Sequence, residues 1–258
     1  QLNVECDQLA GDYRRQLVSN GVTSAPNTRF FTEKSAWYHN DVKQSCLRRE
    51  QLTEIVAWPR LLARWDSKPV GTSFADETDW KMVRRAMGGL RPGLQRWTTK
   101  HMTGMCGVAK FLQCWAHSHS DKCPCCGDVV EDAHHVPRCT DPRVATAWQE
   151  QMDLLLQWMT NNHTAPHIQS SLNTILWQIR HPSQPIRMTS QTHLEAHQSQ
   201  QTIGPQGLLE GRLSKHWVPL QAKYFHSIGS PRSAERWASQ LITHLITMGH
   251  SMWTHRNS

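Results

Sequence analysis

The feature that most limits what this chain can become is a crowd of thiols: five of its eight cysteines, Cys114, Cys123, Cys125, Cys126 and Cys139, fall within 26 residues. In Cys123-Pro-Cys125-Cys126-Gly127 two thiols three positions apart can grip one ion, and the glycine lets the chain turn tightly beneath it. His135 follows after eight residues and Cys139 after three more. The pattern Cys-x2-Cys-x8-His-x3-Cys supplies four soft or borderline ligands, a set suited to tetrahedral zinc. Four protein ligands leave no open position for a reacting water, so the expected role is structural. The expected zinc ligands are therefore Cys123, Cys126, His135 and Cys139. Spacing leaves two points open, because His134 adjoins His135 and Cys125 lies between the flanking thiols. Upstream, Cys114, His117 and His119 read as solvent-facing loop residues rather than accessory ligands.

The other cysteines are scattered, unlike the even spacing of a secreted disulfide scaffold, so reduced thiols are expected. No apolar run reaches about 18 residues, and the opening Gln-Leu-Asn-Val-Glu-Cys lacks the charged and then apolar pattern of a signal peptide. An intracellular protein, nuclear or cytoplasmic, is expected. The missing initiator Met and the ending at Ser258 are read as marks of a piece of a longer polypeptide. A formal charge of +7 with a pI near 9.1 points to an acidic partner, and nucleic acid is the commonest such surface; a membrane is not expected. Between Lys81 and Lys110 there are seven Lys or Arg residues and no Asp or Glu. Arg84, Arg85, Arg91, Arg96 and Lys100 are the candidate phosphate contacts; Trp97 or Trp115 could stack on an unpaired base, but each tryptophan reads more readily as a core anchor. Phosphate contacts bind without choosing sequence, so salt-sensitive and weakly selective affinity is expected.

A length of 258 residues allows one good core or two modest ones, and 12 Trp and 9 Met against 3 Tyr and 5 Phe favour large anchors on helices. The expected fold is mainly α: helical bundle segments around a small CCHC knuckle, with a C-terminal helical hairpin after a disordered linker. Residues 1–45 read as a short helix and a loop, and 46–64 as two short helices divided by Pro59. The acidic run Asp76, Glu77, Asp79 reads as a helix cap rather than a catalytic cluster. Asp141-Pro142 opens a helix over 142–160 with Val144, Trp148, Met152, Leu155 and Met159 on one face. Another spans 166–180, with Ile168, Leu172, Ile175, Leu176 and Ile179. Residues 181–206, rich in Gln, Ser, His and Thr, read as a linker. Leu208–Tyr224 reads as helical, and the last helix carries Trp237, Leu241, Leu245, Met248 and Met252 on one face. The implied organisation is 1–45, a helical domain at 46–180 holding the knuckle at 123–139, the linker, and a hairpin domain at 207–258.

The stretch from Cys123 through Glu131-Asp-Ala-His-His135-Val-Pro-Arg-Cys139 resembles the zinc-binding region found downstream of reverse transcriptase in retroelement polyproteins, and is similar to retroelement-like proteins of diatoms and algae. Around it, the likeness runs through Trp97-Thr-Thr-Lys100, Gly104-x-Cys106-Gly107, Gly211-Arg212, Lys-His-Trp217, Arg236-Trp237-Ala238 and Met252-Trp253-Thr-His-Arg256-Asn257. At the other end, Leu2-Asn3-Val4-Glu5-Cys6-Asp7-Gln8-Leu9-Ala10 resembles the last helix of a ribonuclease H fold, in which Asp7 would match the final active-site carboxylate. The other carboxylates of such a site are missing from this chain, so the resemblance implies no nuclease activity here.

Three functions compete. The first is a non-catalytic, zinc-binding and nucleic-acid-binding region of a retroelement-derived protein. The second is a zinc-stapled helical module that binds protein, a domesticated or degenerate remnant. An enzyme is the least favoured, since the sequence contains no Gly-rich phosphate loop, Gly-x-Ser-x-Gly elbow or Tyr-x-Asp-Asp motif.

Overall fold

The computed structural model describes residues 37–39, 42–44, 74–115, 117–183 and 194–257. The chain divides into two units, Gln1–Leu61 and Leu62–Ser258. In the first, the described residues form two antiparallel strands, β1 (Trp37–His39) and β2 (Val42–Gln44), with Tyr38 opposite Lys43. They stand where the sequence reads as a loop. Asp7 and the helices expected over 46–64 lie outside the described residues.

The second unit is helical. Its first half contains α1 (Phe74–Glu77), α2 (Trp80–Gly89), α3 (Pro92–Met102), α4 (Ala109–Cys114) and α5 (His135–Arg138). Then come α6 (Pro142–Asn161), α7 (Pro166–Arg180), α8 (Leu194–Ile203), α9 (Trp217–Ser227) and α10 (Ala234–His255). Local chemistry sets the starts. Asp79 Oδ1 accepts the Met82 N–H at 3.1 Å, Asp141 Oδ1 accepts that of Arg143 at 2.8 Å ahead of Pro142, and Ser233 Oγ accepts that of Arg236 at 3.3 Å. The buried faces of α6 and α7 are the expected stripes, residue for residue. α10 buries all five expected residues and also Ile242 and Ile246. Its apolar face is therefore too wide for one partner, and it packs against α2, α3, α5, α6 and α9.

That width corrects the expected domain division. α9 and α10 form the hairpin, but its core is continuous with that of the preceding helices, from Met82 through Val144 and Leu176 to Met252. A second correction concerns the segment 181–206, which carries α8 and, after it, a 3-10 turn at Pro205–Leu208. Gln200 on α8 is fully buried: its amide donates to Arg212 O at 3.0 Å and accepts from Ser214 N at 2.9 Å and Trp217 Nε1 at 3.3 Å. Ser199 Oγ donates to Glu77 Oε2 at 2.5 Å, and that bond draws the Glu77 carboxyl below its ordinary value. Glu77 thus ties α1 to α8 rather than capping a helix. Polar residues can be buried when every donor and acceptor finds a partner. The expected start of α9 also moves, because 209–216 is irregular, with 209–214 buried. At Gly211 φ is +79° and a Cβ would stand 2.8 Å from Ile246 Cδ1, so the chain passes against α10 only where a side chain is lacking.

Trp97, 7% exposed, lies in the core with its ring stacked on His101 at 4.6 Å, so it is no platform for a base. Burial drives His101 down to about 3, and its Nδ1 meets neither solvent nor a hydrogen-bond partner. His101 is thus neutral in the fold, whereas the unfolded chain takes up a proton near pH 6.5. Stability is therefore full above pH 6.5 and falls on acidification until about pH 3. Against a His101→Phe variant, denaturant titrations are expected to show an extra loss of about 1.4 kcal/mol per pH unit in that window. Parallel pH profiles for the two proteins would contradict this.

Candidate metal centre

The cysteine segment folds as a short hairpin followed by a single helical turn. Lys122 and Val130 form an isolated antiparallel bridge, and Cys123 N–H donates to Val129 O at 2.9 Å. Gly127 N–H donates back to Cys123 O at 2.8 Å, with φ at +74°, the left-handed turn the glycine was expected to supply. This turn sets Cys123 and Cys126 side by side. Asp132 Oδ1 then accepts the His135 N–H at 2.7 Å and starts α5, which carries His135 at its first position and Cys139 at its C-cap. Residues four apart share one face of a helical turn, so both point toward the thiols of the hairpin.

The result is a closed group. One ligand atom from each of Cys123, Cys126, His135 and Cys139 lies within 4.8 Å of all the others, an arrangement able to hold a metal ion. The Sγ atoms of Cys123 and Cys139 are 3.7 Å apart, and Cys126 Sγ is 3.5 Å from His135 Nε2. The group includes His135 rather than His134 and does not include Cys125. Cys114, His117 and His119 are exposed and join no metal-holding group among the described residues.

Burial and hydrogen bonding divide the thiols. Desolvation pushes Cys123 up to about 12 and raises Cys125 and Cys139 above the ordinary thiol value. At Cys126 desolvation acts the same way, but hydrogen bonds from the Asp128 and Val129 backbone, aided by Cys123 and Cys139, outweigh it and the thiol lies below its ordinary value. A cation among the sulfurs reverses the preference of the buried thiols, because a coordinated thiol gives up its proton.

Several supporting residues carry no local sequence signal. Cys123, Val136 and Cys139 belong to the main core, so the centre is seated on the bundle. From the end of α7, Arg180 donates to Pro137 O at 2.5 Å and to Cys139 O at 3.3 Å, while Arg138 Nε donates to Ile179 O at 2.9 Å. Glu131, with no exposed surface, accepts the Ala109 N–H at 2.7 Å and pairs with Arg256 at 2.6 Å. Trp253 Nε1 donates to Gly107 O at 3.2 Å one turn earlier on α10. Asp132, by contrast, could have been found from sequence, as an Asp three residues before His135.

The basic candidates are all exposed: Arg84 and Arg85 on α2, Arg91 at the N-cap of α3, and Arg96 and Lys100 one turn apart on α3. Arg85 is the exception to their independence, with Nη1 3.7 Å from Glu235 Oε2. Trp115 is 40% exposed, with its ring stacked on Phe111 at 5.7 Å.

No protein-family model, curated protein or solved structure matches the chain. Among the described residues no helix is long and apolar enough to cross a membrane.

Proposed function

We propose that the chain is a zinc-stabilised, nucleic-acid-binding region without catalytic activity, of the kind that lies downstream of reverse transcriptase in retroelement polyproteins. The geometry of the Cys3His group carries the reading. Zn–S bonds of about 2.3 Å and Zn–N bonds of about 2.0–2.1 Å give tetrahedral edges of about 3.8 Å between sulfurs and about 3.5–3.6 Å from sulfur to nitrogen. The corresponding separations here are 3.7 Å and 3.5 Å. Cys123, Cys126, His135 and Cys139 would hold the ion, whose role is to cross-link the hairpin to α5. The donor set fills a tetrahedron, which supports structure over catalysis.

The nucleic-acid part rests on charge. Five exposed basic residues on α2 and α3 follow one another without an acid between them, and Trp115 offers an exposed ring for stacking. Elemental analysis of the reduced chain is expected to give one zinc per molecule. Labelled single- and double-stranded oligonucleotides are expected to bind with similar affinity across sequences and to dissociate as salt rises. Arg84→Gln combined with Arg96→Gln is expected to lower the salt slope by roughly 0.7–0.9 for each charge removed. Zinc without nucleic-acid binding would turn the reading to a zinc-stapled protein-interaction module, and absence of zinc would remove both.

A further inference from the structure

At the start of α10, away from the cysteines, lies a cleft of about 450 Å3 bounded by Asn162, Phe225, Arg232, Ser233, Arg236 and Trp237. Phe225 and Trp237 are buried and form its floor, with Trp237 held by an Nε1–H bond to Thr164 Oγ at 2.8 Å. Both arginines are exposed at the rim. Arg232 Nη1 donates to Asn161 O at 3.2 Å and Asn162 Oδ1 at 3.0 Å, which fixes that guanidinium at the edge of the cleft. Among the described residues, neither guanidinium has a carboxylate within 4.0 Å.

The nearest acid in the chain faces elsewhere. Glu235 is taken up by α2, with Oε1 2.7 Å from Lys81 Nζ and Oε2 3.7 Å from Arg85 Nη1. Those two contacts bring the basic surface of α2 to the first turn of α10, beside Arg236. α10 is 22 residues long, and its N-terminal dipole and first-turn N–H groups add to the positive field there. Two forked guanidiniums and a helix N-terminus suit the several oxygens of a phosphate better than the two of a carboxylate. The volume falls within the range of about 300–1,000 Å3 typical of small-ligand pockets, which is more than a bare ion requires. Gln240, one turn beyond Arg236, also lines the cleft and supplies an amide for a sugar hydroxyl or a base edge.

We propose that this cleft is a phosphate-binding site that takes one nucleotide unit of a bound nucleic acid, with Arg232 and Arg236 on the phosphate. The identity of the occupant rests on the nucleic-acid reading above; the phosphate chemistry of the cleft does not.

The test uses the full, zinc-loaded chain and two probes. In the first, a fluorescent single-stranded oligonucleotide is titrated into the parent chain, Arg236→Gln and the Arg84→Gln/Arg96→Gln pair. Arg236→Gln is expected to weaken binding roughly ten- to hundredfold, the loss of a charge-assisted contact. In the second, adenosine monophosphate and inorganic phosphate are added to the parent chain while the arginine Nε–H signals are followed by NMR, with movement expected for Arg232 and Arg236. Loss of oligonucleotide binding in the Arg84/Arg96 pair alone, with no movement of the two signals, would overturn the cleft and leave the nucleic-acid reading standing. Movement of both signals in a chain that binds no oligonucleotide would sustain the phosphate site, assign it to a free nucleotide and sink the nucleic-acid reading. The NMR arm needs no variant, so a folding defect in Arg236→Gln would not obscure the answer.

Discussion

Cys126→Ser is expected to abolish zinc binding and release the hairpin from α5. Serine replaces a soft thiolate by a poor ligand for zinc, and the remaining three donors leave the shell open. For short knuckles, the binding free energy at stake is about 10 kcal/mol or more at neutral pH, comparable to the whole stability of a domain. The damage is nevertheless expected to stay local. Val136 and Pro137 remain buried, and Arg180 still holds Pro137 O and Cys139 O from α7. The buried Cys123 and Cys139 thiols can revert to their neutral forms, so no charge is stranded in the core. Hydrogen exchange is expected to accelerate at Cys123, Gly127 and Glu131, whose N–H groups hold the hairpin together, while α6, α7 and α10 stay protected. Cys125→Ser, outside the ligand group, is expected to keep its zinc. Retention of full zinc by Cys126→Ser, or collapse of most of its helical circular dichroism, would contradict this account.

Glu131→Ala is expected to destabilise the chain by about 3–5 kcal/mol, the cost of leaving a buried ion without its partner. The Arg256 side chain is 8% exposed and directs Nε and Nη2 to the Glu131 carboxylate in three short contacts. The same carboxylate accepts the Ala109 N–H at the first turn of α4, so its loss also exposes an unpaired donor. Pairing the change with Arg256→Met removes the stranded charge and is expected to recover much of the loss. Denaturant midpoints for the two single variants and the double variant form the cycle that measures the coupling. Additive effects would mean that the two side chains do not depend on one another.

Helices whose buried face is apolar were legible from sequence because the 3.6-residue period is written in the residue types themselves. The stripe on α6, from Val144 to Met159, and that on α7, from Ile168 to Ile179, are the residues the fold buries. α8 was not legible in this way. Its buried face includes His197, Ser199 and Gln200, and a search for apolar periodicity passes over it. What makes that face buriable is a set of partners elsewhere, Glu77 on α1 and the backbone of Arg212 and Ser214. Trp97 follows the reading favoured for a tryptophan, a core anchor rather than a stacking platform: it packs against His101, His250 and Trp253.

By itself the sequence determined the helices with apolar stripes and the four residues of the Cys3His group that could hold a metal ion. Both depend on short separations: a few residues along a helix, or the 16 between Cys123 and Cys139. Tertiary structure alone decided which polar and charged groups meet. Glu131 and Arg256 are 125 residues apart, and Lys81 and Glu235, whose pairing joins α2 to the first turn of α10, are 154 apart. A buried or paired charge is stable only beside its counterpart, and no local pattern encodes a counterpart so far along the chain. The large apolar face of α10 gathers α2, α3, α5, α6 and α9 onto it, and these pairs form where that packing leaves them facing one another.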